Sequence, residues 1–497
     1  MTKKTSFKNF TFVDLFSGIG GFHISLSKHG GSCLAFSEID NDAINSYCNN
    51  ISTANKDINL GDITKINQLP KHDLLAAGVP CQSWSIAGRN HGFDDDRGQL
   101  WNDTIFLLKQ SMPKAFIFEN VKGLVDPRNK DSFSYILDRI KLAGYYANFF
   151  VLNSRDYGVP QNRVRVYIVG FKNKKYYSKF KHPKSIEQSS TLSKILSLKV
   201  VNSEFSEKKT LNIKQNLKKS SSSLTKNNHY NKYFLFNDIR NGETTIHSWD
   251  IIPTSDKQKD ICYLLLKNRR KKYYGNLDGN PLSLKHFKEL NSEINKNDIN
   301  SLIRLGILKA EDYKFSVIVG GLALSPDEEA IIQLANNNEL VVDNLKISKF
   351  LKLNRISIVK TIESLILKKK IKCVEVRYDF KNTKISSGLF GVNRIFLPSS
   401  DIFSTLVASD TQDHVSLIDI DAVNPEQYKQ DFLEKVYLQN NYRKLTKEES
   451  CLMQGFDSNF SLPIDRKRWM KLLGNSVSIP VIDSLCQEII NTGVFSK

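Results

Sequence analysis

A chain of 497 residues with a formal net charge of +19, carried mostly by lysine, has length for two or three domains and a field that favours polyanionic partners. Its seven cysteines, odd in number and without a CxxC spacing, argue against a disulfide framework or a structural zinc site and for a reducing compartment. No apolar run approaches the roughly twenty residues of a membrane span, and the polar start Met1-Thr2-Lys3-Lys4 lacks the apolar core of a signal peptide.

In chain order, Phe12-Val13-Asp14-Leu15-Phe16 reads as a buried strand, Ser17-Gly18-Ile19-Gly20-Gly21 as a tight glycine turn, and Phe22 to Lys28 as the opening of a helix. This has the form of a nucleotide-cofactor turn. Glu38, about twenty positions on and after the apolar Cys33-Leu34-Ala35-Phe36, can accept hydrogen bonds from both hydroxyls of a ribose. The dinucleotide fingerprint is incomplete, because His23 stands where its third glycine would be. A turn without room for a pyrophosphate suits a cofactor that has adenosine but no phosphates, and S-adenosylmethionine is such a molecule. Asp62-Ile63, after Gly61, would then offer a carboxylate to the adenine amino group and an apolar cover to the ring.

The next apolar segment, Leu74 to Val79, ends in Pro80-Cys81-Gln82. Gly78 permits an abrupt turn and Pro80 fixes φ before the sulfur, so Cys81 is expected at a rigid strand end, as covalent attack requires. Ser83 to Gln99 holds Gly88, Gly92 and Gly98, the cations Arg89 and Arg97, and the run Asp94-Asp95-Asp96, and reads as a lid hinged at Gly88 and Gly98. Glu119-Asn120-Val121 supplies a carboxyl partner. Arg163 and Arg165 alternate with Val164 and Val166, so a strand here would turn both guanidinium groups toward the site.

Together these segments resemble the bacterial DNA (cytosine-5) methyltransferases of restriction-modification systems. The blocks that carry the resemblance are Asp14 to Gly21, Gly78 to Ser85, Arg97-Gly98-Gln99-Leu100-Trp101, Glu119-Asn120-Val121, Gln161 to Arg165, Arg443-Lys444-Leu445-Thr446 and Gly474-Asn475-Ser476-Val477, in the family's order. They cover about residues 10 to 172 and 440 to 490. The resemblance implies an α/β, Rossmann-like S-adenosylmethionine-dependent methyltransferase domain interrupted by a large target-recognition domain: 1–175 and 436–497 catalytic, 176–435 recognition. It implies Cys81, Glu119, Arg163 and Arg165 as catalytic residues, and Phe16, Gly18, Gly20, Glu38, Ile39, Asp62, Ile63, Leu100, Asn475 and Ser476 as cofactor-binding. No metal is expected. The implied partner is double-stranded DNA, with a cognate restriction endonuclease acting separately. A monomer in the bacterial cytoplasm, associated with the nucleoid, is the expectation.

The chemistry follows from the residues. Cytosine C5 is a poor nucleophile until density is pushed to it from C6, so Cys81 would add to C6 while Glu119 hydrogen-bonds or protonates N3. C5 then takes the methyl group, and loss of its proton with elimination of the sulfur frees the product. The base must first leave the duplex stack, at a cost of a few kcal/mol. Two other readings stay open here: an RNA (tRNA) cytosine-5 methyltransferase of the same fold, and an NAD-dependent oxidoreductase, which leaves Pro80-Cys81 and the paired arginines unexplained.

Lys172 to Lys232, rich in lysine and serine, reads as a linker or strand-poor region. Phe236 to Asp250 follows, polar but anchored by Ile246 and Trp249, and resembles segments in the variable region of some bacterial members; His247 there suits either a base or phosphate contact or a structural place. Leu282 to Leu308 and Leu345 to Ile371 align without gaps at a shift of 63, pairing Phe287 with Phe350, Leu290 with Leu353, Asn291 with Asn354, Ile299 with Ile362 and Leu302 with Leu365. Each copy reads as a short helix, a turn and a longer helix. With Lys368-Lys369-Lys370 and the alternating Cys373 to Tyr378 behind the second copy, the insert is expected to hold one or two winged-helix-like units. Arg443 to Phe456 reads as a helix packed on the recognition domain. Leu472 to Pro480 reads as the start of a helix returning to the cofactor site, capped by Asn475 or Ser476. The catalytic halves should close one open, mostly parallel sheet with ligands at its carboxyl strand ends.

Overall fold

The structure, a computed structural model, describes residues 10–80, 96–186, 190–197, 231–239, 244–318, 323–341, 355–420 and 425–496. The chain divides into two compact units, Met1–Tyr233 with Arg394–Lys497, and Phe234–Asn393. The second lies within the expected span 176–435.

In the first unit β1 (Phe10–Leu15), β2 (Gly31–Ser37), β3 (Leu74–Gly78) and β4 (Ala115–Val121) are parallel. They are followed by an antiparallel hairpin of β5 (Tyr146–Asn153) and β6 (Val164–Phe171), in the order β2-β1-β3-β4-β6-β5. Helices α1 (Gly21–Lys28), α2 (Asn41–Asn50), α3 (Asp96–Ser111) and α4 (Lys130–Leu142) make the connections, and α5 (Lys174–Tyr177) follows β6. The period-two alternation sends Phe116 and Phe118 with Leu75 and Ala77 into one core, and Ala115 and Ile117 with Leu74 and Ala76 into another. Both faces of the central strands are covered, which is why they read as continuous apolar runs. Strand order reverses at β1, between β2 and β3, and an open sheet of this kind binds ligands outside the carboxyl ends of its strands there. Because β6 is antiparallel to β4, its amino end reaches that same edge.

In the second unit β7 (Tyr233–Phe236), whose first residue belongs to the first unit, pairs in parallel with β8 (Thr245–Ile246). Then come α6 (Ser248–Ile251), α7 (Asp256–Asn268), β9 (Leu282–Ser283), α8 (Leu284–Leu290), α9 (Lys296–Arg304), β10 (Leu308–Val317), α10 (Pro326–Ile332), β11 (Glu339–Val341), α11 (Arg355–Leu367) and β12 (Ile371–Phe380). An antiparallel sheet in the order β11-β10-β12-β9 is their spine. His247 is buried and stacked on Trp249 at 4.2 Å, so its ring is part of the core. The lysine run after α11 is structural in two of its members: Lys368 pairs with Glu328 at 2.7 Å and Lys370 is buried.

Returning to the first unit, β13 (Arg394–Phe396), β14 (Asp413–Ser416) and β15 (Tyr442–Arg443) pair in sequence. Helix α12 (Pro425–Asp431) precedes β15, and α13 (Lys447–Gln454), α14 (Arg466–Asn475) and α15 (Ile479–Asn491) follow. Val481, Ile482, Leu485 and Ile489 of α15 pack with Phe10, Phe12 and Phe22, so the last helix of the chain completes the first sheet.

Candidate active site

The turn after β1 is made by backbone conformations that few side chains adopt: Phe16, Gly18 and Gly20 have φ of 52°, 55° and 89°. A Cβ on Gly20 would meet Ile51 Cδ1 at 2.5 Å, whereas one on Gly18 would meet nothing within 4 Å. Gly20 is thus required by packing, and Gly18 faces open space. Glu38, at the end of β2, accepts hydrogen bonds from the amides of Gly18 (2.9 Å), Ile39 (2.8 Å) and Asp40 (2.9 Å), and so straps the two strand ends together. Ile39 beside it is 71% exposed. Ile63 is buried in the core with Leu69 and Val79, and Ile39 is the exposed apolar side chain of the pair. Asp62 caps its own short turn through Oδ1 to Thr64 N at 3.0 Å, which holds its carboxyl below the usual carboxylate range. Leu100, in the first part of α3, packs on the same core.

Behind the turn Asp14 is fully buried, and among the described residues no donor meets either carboxylate oxygen with the geometry of a good hydrogen bond. Burial first, then the charge of Glu38, push its pKa well above the usual value, with the nearby His23 amide pulling the other way. An unsatisfied buried carboxylate next to an open glycine cradle fits a ligand that brings positive charge, and the sulfonium and ammonium of S-adenosylmethionine meet that requirement.

At the neighbouring strand ends Gly78 of β3 is in register with Glu119 of β4. Asn120 donates from Nδ2 to the Val79 carbonyl at 3.1 Å and accepts at Oδ1 from Val121 N at 2.8 Å, clamping the chain as it leaves β3. Description stops at Pro80; Cys81 and the span 81–95, with most of the expected lid, lie outside the described residues. The lid's last residues, from Asp96, already belong to α3. Glu119 is buried, with Arg165 Nε 3.2 Å from its Oε1. Burial raises the Glu119 pKa against the opposing charges of Arg165 and then Arg163.

The two arginines make different contacts, although the charges of both act on Glu119. Strand β6 begins at Val164, one residue after Arg163, whose buried guanidinium donates to backbone carbonyls. Nη1 donates to Leu406 (3.1 Å) and Gly474 (3.2 Å), and Nη2 to Gly474 (3.2 Å) and Ser476. Its neighbour Gln161 donates to Met453 O at 2.9 Å and accepts from Leu406 N at 3.2 Å. This block is therefore a strut between the sheet and the carboxyl-terminal segment. The roles expected of Asn475 and Ser476 as caps of the following helix are also corrected: they end α14, Ser476 being its C-cap, and the residue before α15 is Ser478. A Cβ on Gly21 would lie 2.7 Å from Val477 Cγ2 and 3.2 Å from Ser476 Oγ, so this loop is pressed against the start of α1. Sequence reasoning assigned no role to Asp14 or Asn120; an acidic residue in an apolar strand was the available signal for the first.

An open, mostly parallel sheet with a glycine turn at its switch point, and with Pro80 and a buried glutamate at the neighbouring strand ends, defines an α/β fold of the kind that binds ligands at its carboxyl edge. The sequence matches the C-5 cytosine-specific DNA methylases over residues 10–491, and the chain belongs to that family. It is 39% identical to the Type II methylase M.HgiEI of Herpetosiphon aurantiacus, covering 99% of each chain. It is 39% identical to the Type II methyltransferase M.HgiBI of the same organism, covering 96% of each. To the Type II methyltransferase M.NlaIV of Neisseria lactamica it is 29% identical, over 97% of this chain and 99% of that one. The protein is a DNA (cytosine-5) methyltransferase, which sets aside the oxidoreductase alternative. Among the described residues no cluster suited to a metal ion occurs, and no helix is long and apolar enough to cross a membrane.

Proposed function

We propose that the carboxyl edge of the first sheet carries out the transfer through Cys81, Glu119 and Arg165, with Arg163 as a positioning residue. The observation that carries this reading is the register of Gly78 with Glu119, backed by the Asn120 clamp on Val79, two residues before Cys81. S-adenosylmethionine, when bound, supplies an electrophilic methyl group. Phe16, Gly18, Gly20, Glu38, Ile39, Asp62, Ile63 and Leu100 would hold it, with Asn475 and Ser476 closing the site. Cys81 adds its sulfur to C6 of a cytosine swung out of the duplex, and Glu119 gives a proton to N3, so that density gathers at C5. Arg165 holds Glu119 in place. After C5 is substituted, its proton leaves to a base, the C6–sulfur bond breaks, and Glu119 recovers its proton.

The substrate is read as a short specific sequence in double-stranded DNA, with winged-helix-like units in the second unit taking part. The Type II relatives support a role in protecting host DNA from a cognate restriction endonuclease. The enzyme is proposed to act as a monomer in the cytoplasm, since one methyl transfer on one strand needs one site. The test is base-resolution mapping of 5-methylcytosine in cells that lack it, with wild type and Cys81→Ser expressed in parallel. One short recurrent motif in the wild type, and none in a variant that still binds S-adenosylmethionine, is expected. Methylation by the variant would sink the covalent scheme.

A further inference from the structure

Where both are described, the two halves of the second unit are built on one plan; Phe350, Leu353 and Asn354, expected to match Phe287, Leu290 and Asn291, lie outside the described residues. Positions 63 apart match in detail: α9 and α11 end at Arg304 and Leu367, and the turns that follow put Gly306 and Lys369 at φ of 73° and 56°. Ile307 N bonds Leu302 O at 3.0 Å, and Lys370 N bonds Leu365 O at 2.9 Å. Ile299, Leu302 and Leu308 share a core with Tyr378 and Phe380. Ile362, Leu365 and Ile371 share another with Phe315, against which Val317 packs. Strands β10 and β12 exchange roles between these cores, because Leu308 pairs with Phe380 and Ile371 with Val317. The register irregularities fall mid-ribbon, at Asp312 to Phe315, where an axis relating the halves would pass. The preceding helices repeat the device as well: Gln258 of α7 donates to Ser301 at 2.9 Å, and Ser364 donates to Glu328 of α10 at 2.7 Å.

The outward faces of α9 and α11 differ where the frameworks agree. Lys296, Asn297, Asn300 and Arg304 form one stripe along α9, and the matching positions of α11 are Val359, Lys360, Glu363 and Leu367. Among the described residues none of the four α9 side chains has a hydrogen bond or ion pair, and the second copy shows that the framework does not require them. Asparagine is moreover a poor interior helix residue. Asparagine and arginine are the side chains that bond bidentately to adenine and guanine edges, and lysine serves phosphate. Val359 and Leu367 have no donors, and Glu363 would repel a phosphate.

We infer that the second unit is an internally duplicated, pseudo-two-fold pair of helix frameworks in which the first copy reads the target duplex through α9, while the second copy buttresses the shared ribbon. This rests on the DNA-methylating activity and adds the reading helix to it.

The test compares Asn300→Ala, Arg304→Ala and Lys296→Ala with Lys360→Ala and Glu363→Ala in the full-length enzyme, by motif mapping and by binding to the mapped duplex across salt concentrations. Lys296, Arg304, Lys360 and Glu363 are exposed and Asn300 is half-buried, and S-adenosylmethionine binding checks that each variant is folded. Asn300→Ala and Arg304→Ala are expected to slow methylation of the wild-type motif about tenfold or more or to broaden it. Lys296→Ala should weaken binding evenly and reduce the salt slope by about one. The α11 variants should stay within about twofold of wild type. The inference is overturned if the α9 variants keep the wild-type motif and rate, or if the α11 variants lose as much. Wild type run alongside separates the two readings, since failure of wild type to methylate duplex DNA would count against the activity itself.

Discussion

Arg165 Nε stands 3.2 Å from Glu119 Oε1 without the alignment of a hydrogen bond, and burial outweighs this pairing, so the Glu119 pKa stays above its ordinary value. The protonated carboxyl, which can donate to cytosine N3, therefore persists further up the pH scale and is lost as pH rises through that raised value. Single-turnover methylation should fall along this alkaline limb. Glu119→Gln, which can bond but not transfer a proton, should lower the rate by about 10²–10⁴ and flatten the limb. Arg165→Met, by removing the largest opposing charge, should move the limb to higher pH. A Glu119→Gln enzyme as fast as wild type would remove the carboxyl from the mechanism.

Arg163 bonds the carbonyls of Leu406, Gly474 and Ser476. Arg163→Met would leave three buried acceptors unsatisfied, at about 1–3 kcal/mol for each one that finds no other donor. A large loss of stability is expected by denaturant titration. Arg163→Lys, with one compact ammonium, should keep the fold and release the Ser476-Val477 loop, weakening S-adenosylhomocysteine binding more than it slows the step after saturation. Equal loss in both quantities would make Arg163 a catalytic rather than a positioning group.

Burial pushes the Asp14 pKa well above its ordinary value, so between the unfolded and the folded value the folded state holds a proton that the unfolded chain has given up. Its stabilising contribution is whole below about that unfolded value and is lost as pH rises through the folded one. At neutral pH Asp14→Asn should melt at least about 2 °C higher than wild type without ligand, and bind S-adenosylmethionine more weakly. Wild type should also release protons when the cofactor binds, measurable by calorimetry in buffers of different ionisation enthalpy. Unchanged binding by the variant would free Asp14 of any cofactor role.

Gly18 and Gly20 separate fold from ligand. Gly20→Ala drives a methyl against Ile51 at 2.5 Å with φ at 89°, so it should destabilise the protein by about 1–3 kcal/mol. Gly18→Ala meets open space at φ 55°, so it should cost about 1 kcal/mol of stability and weaken the cofactor disproportionately. Thermal melts with and without S-adenosylhomocysteine distinguish the two. Reversal of the pattern would place the ligand away from Gly18.

Much of the site was legible because its signals are local. A glycine turn needing positive φ, an acidic residue one strand later, and a proline before a cysteine are constraints the backbone imposes within a few residues. Where long-range partners decide, the reading slipped. Arg163 falls one residue before its strand, and carbonyls about 240 and 310 positions away claim it. Ser476 ends a helix where a beginning was expected because Pro480 lies one turn later.

The sequence by itself determined that apolar strands alternate with helices, that a glycine turn and Pro80 follow strand ends, and that the helix-turn-strand stretches around Leu302 and Leu365 follow one pattern. Periodicity and turn chemistry carry that much because they act between near neighbours. Tertiary structure alone decided that Asp14 is buried without a well-aligned donor among the described residues and that Asn120 clamps the strand leading to Cys81. It likewise decided that these two stretches share one ribbon with their strands exchanged. Each depends on which distant groups exclude water and supply or withhold hydrogen bonds, and that is set when the segments pack.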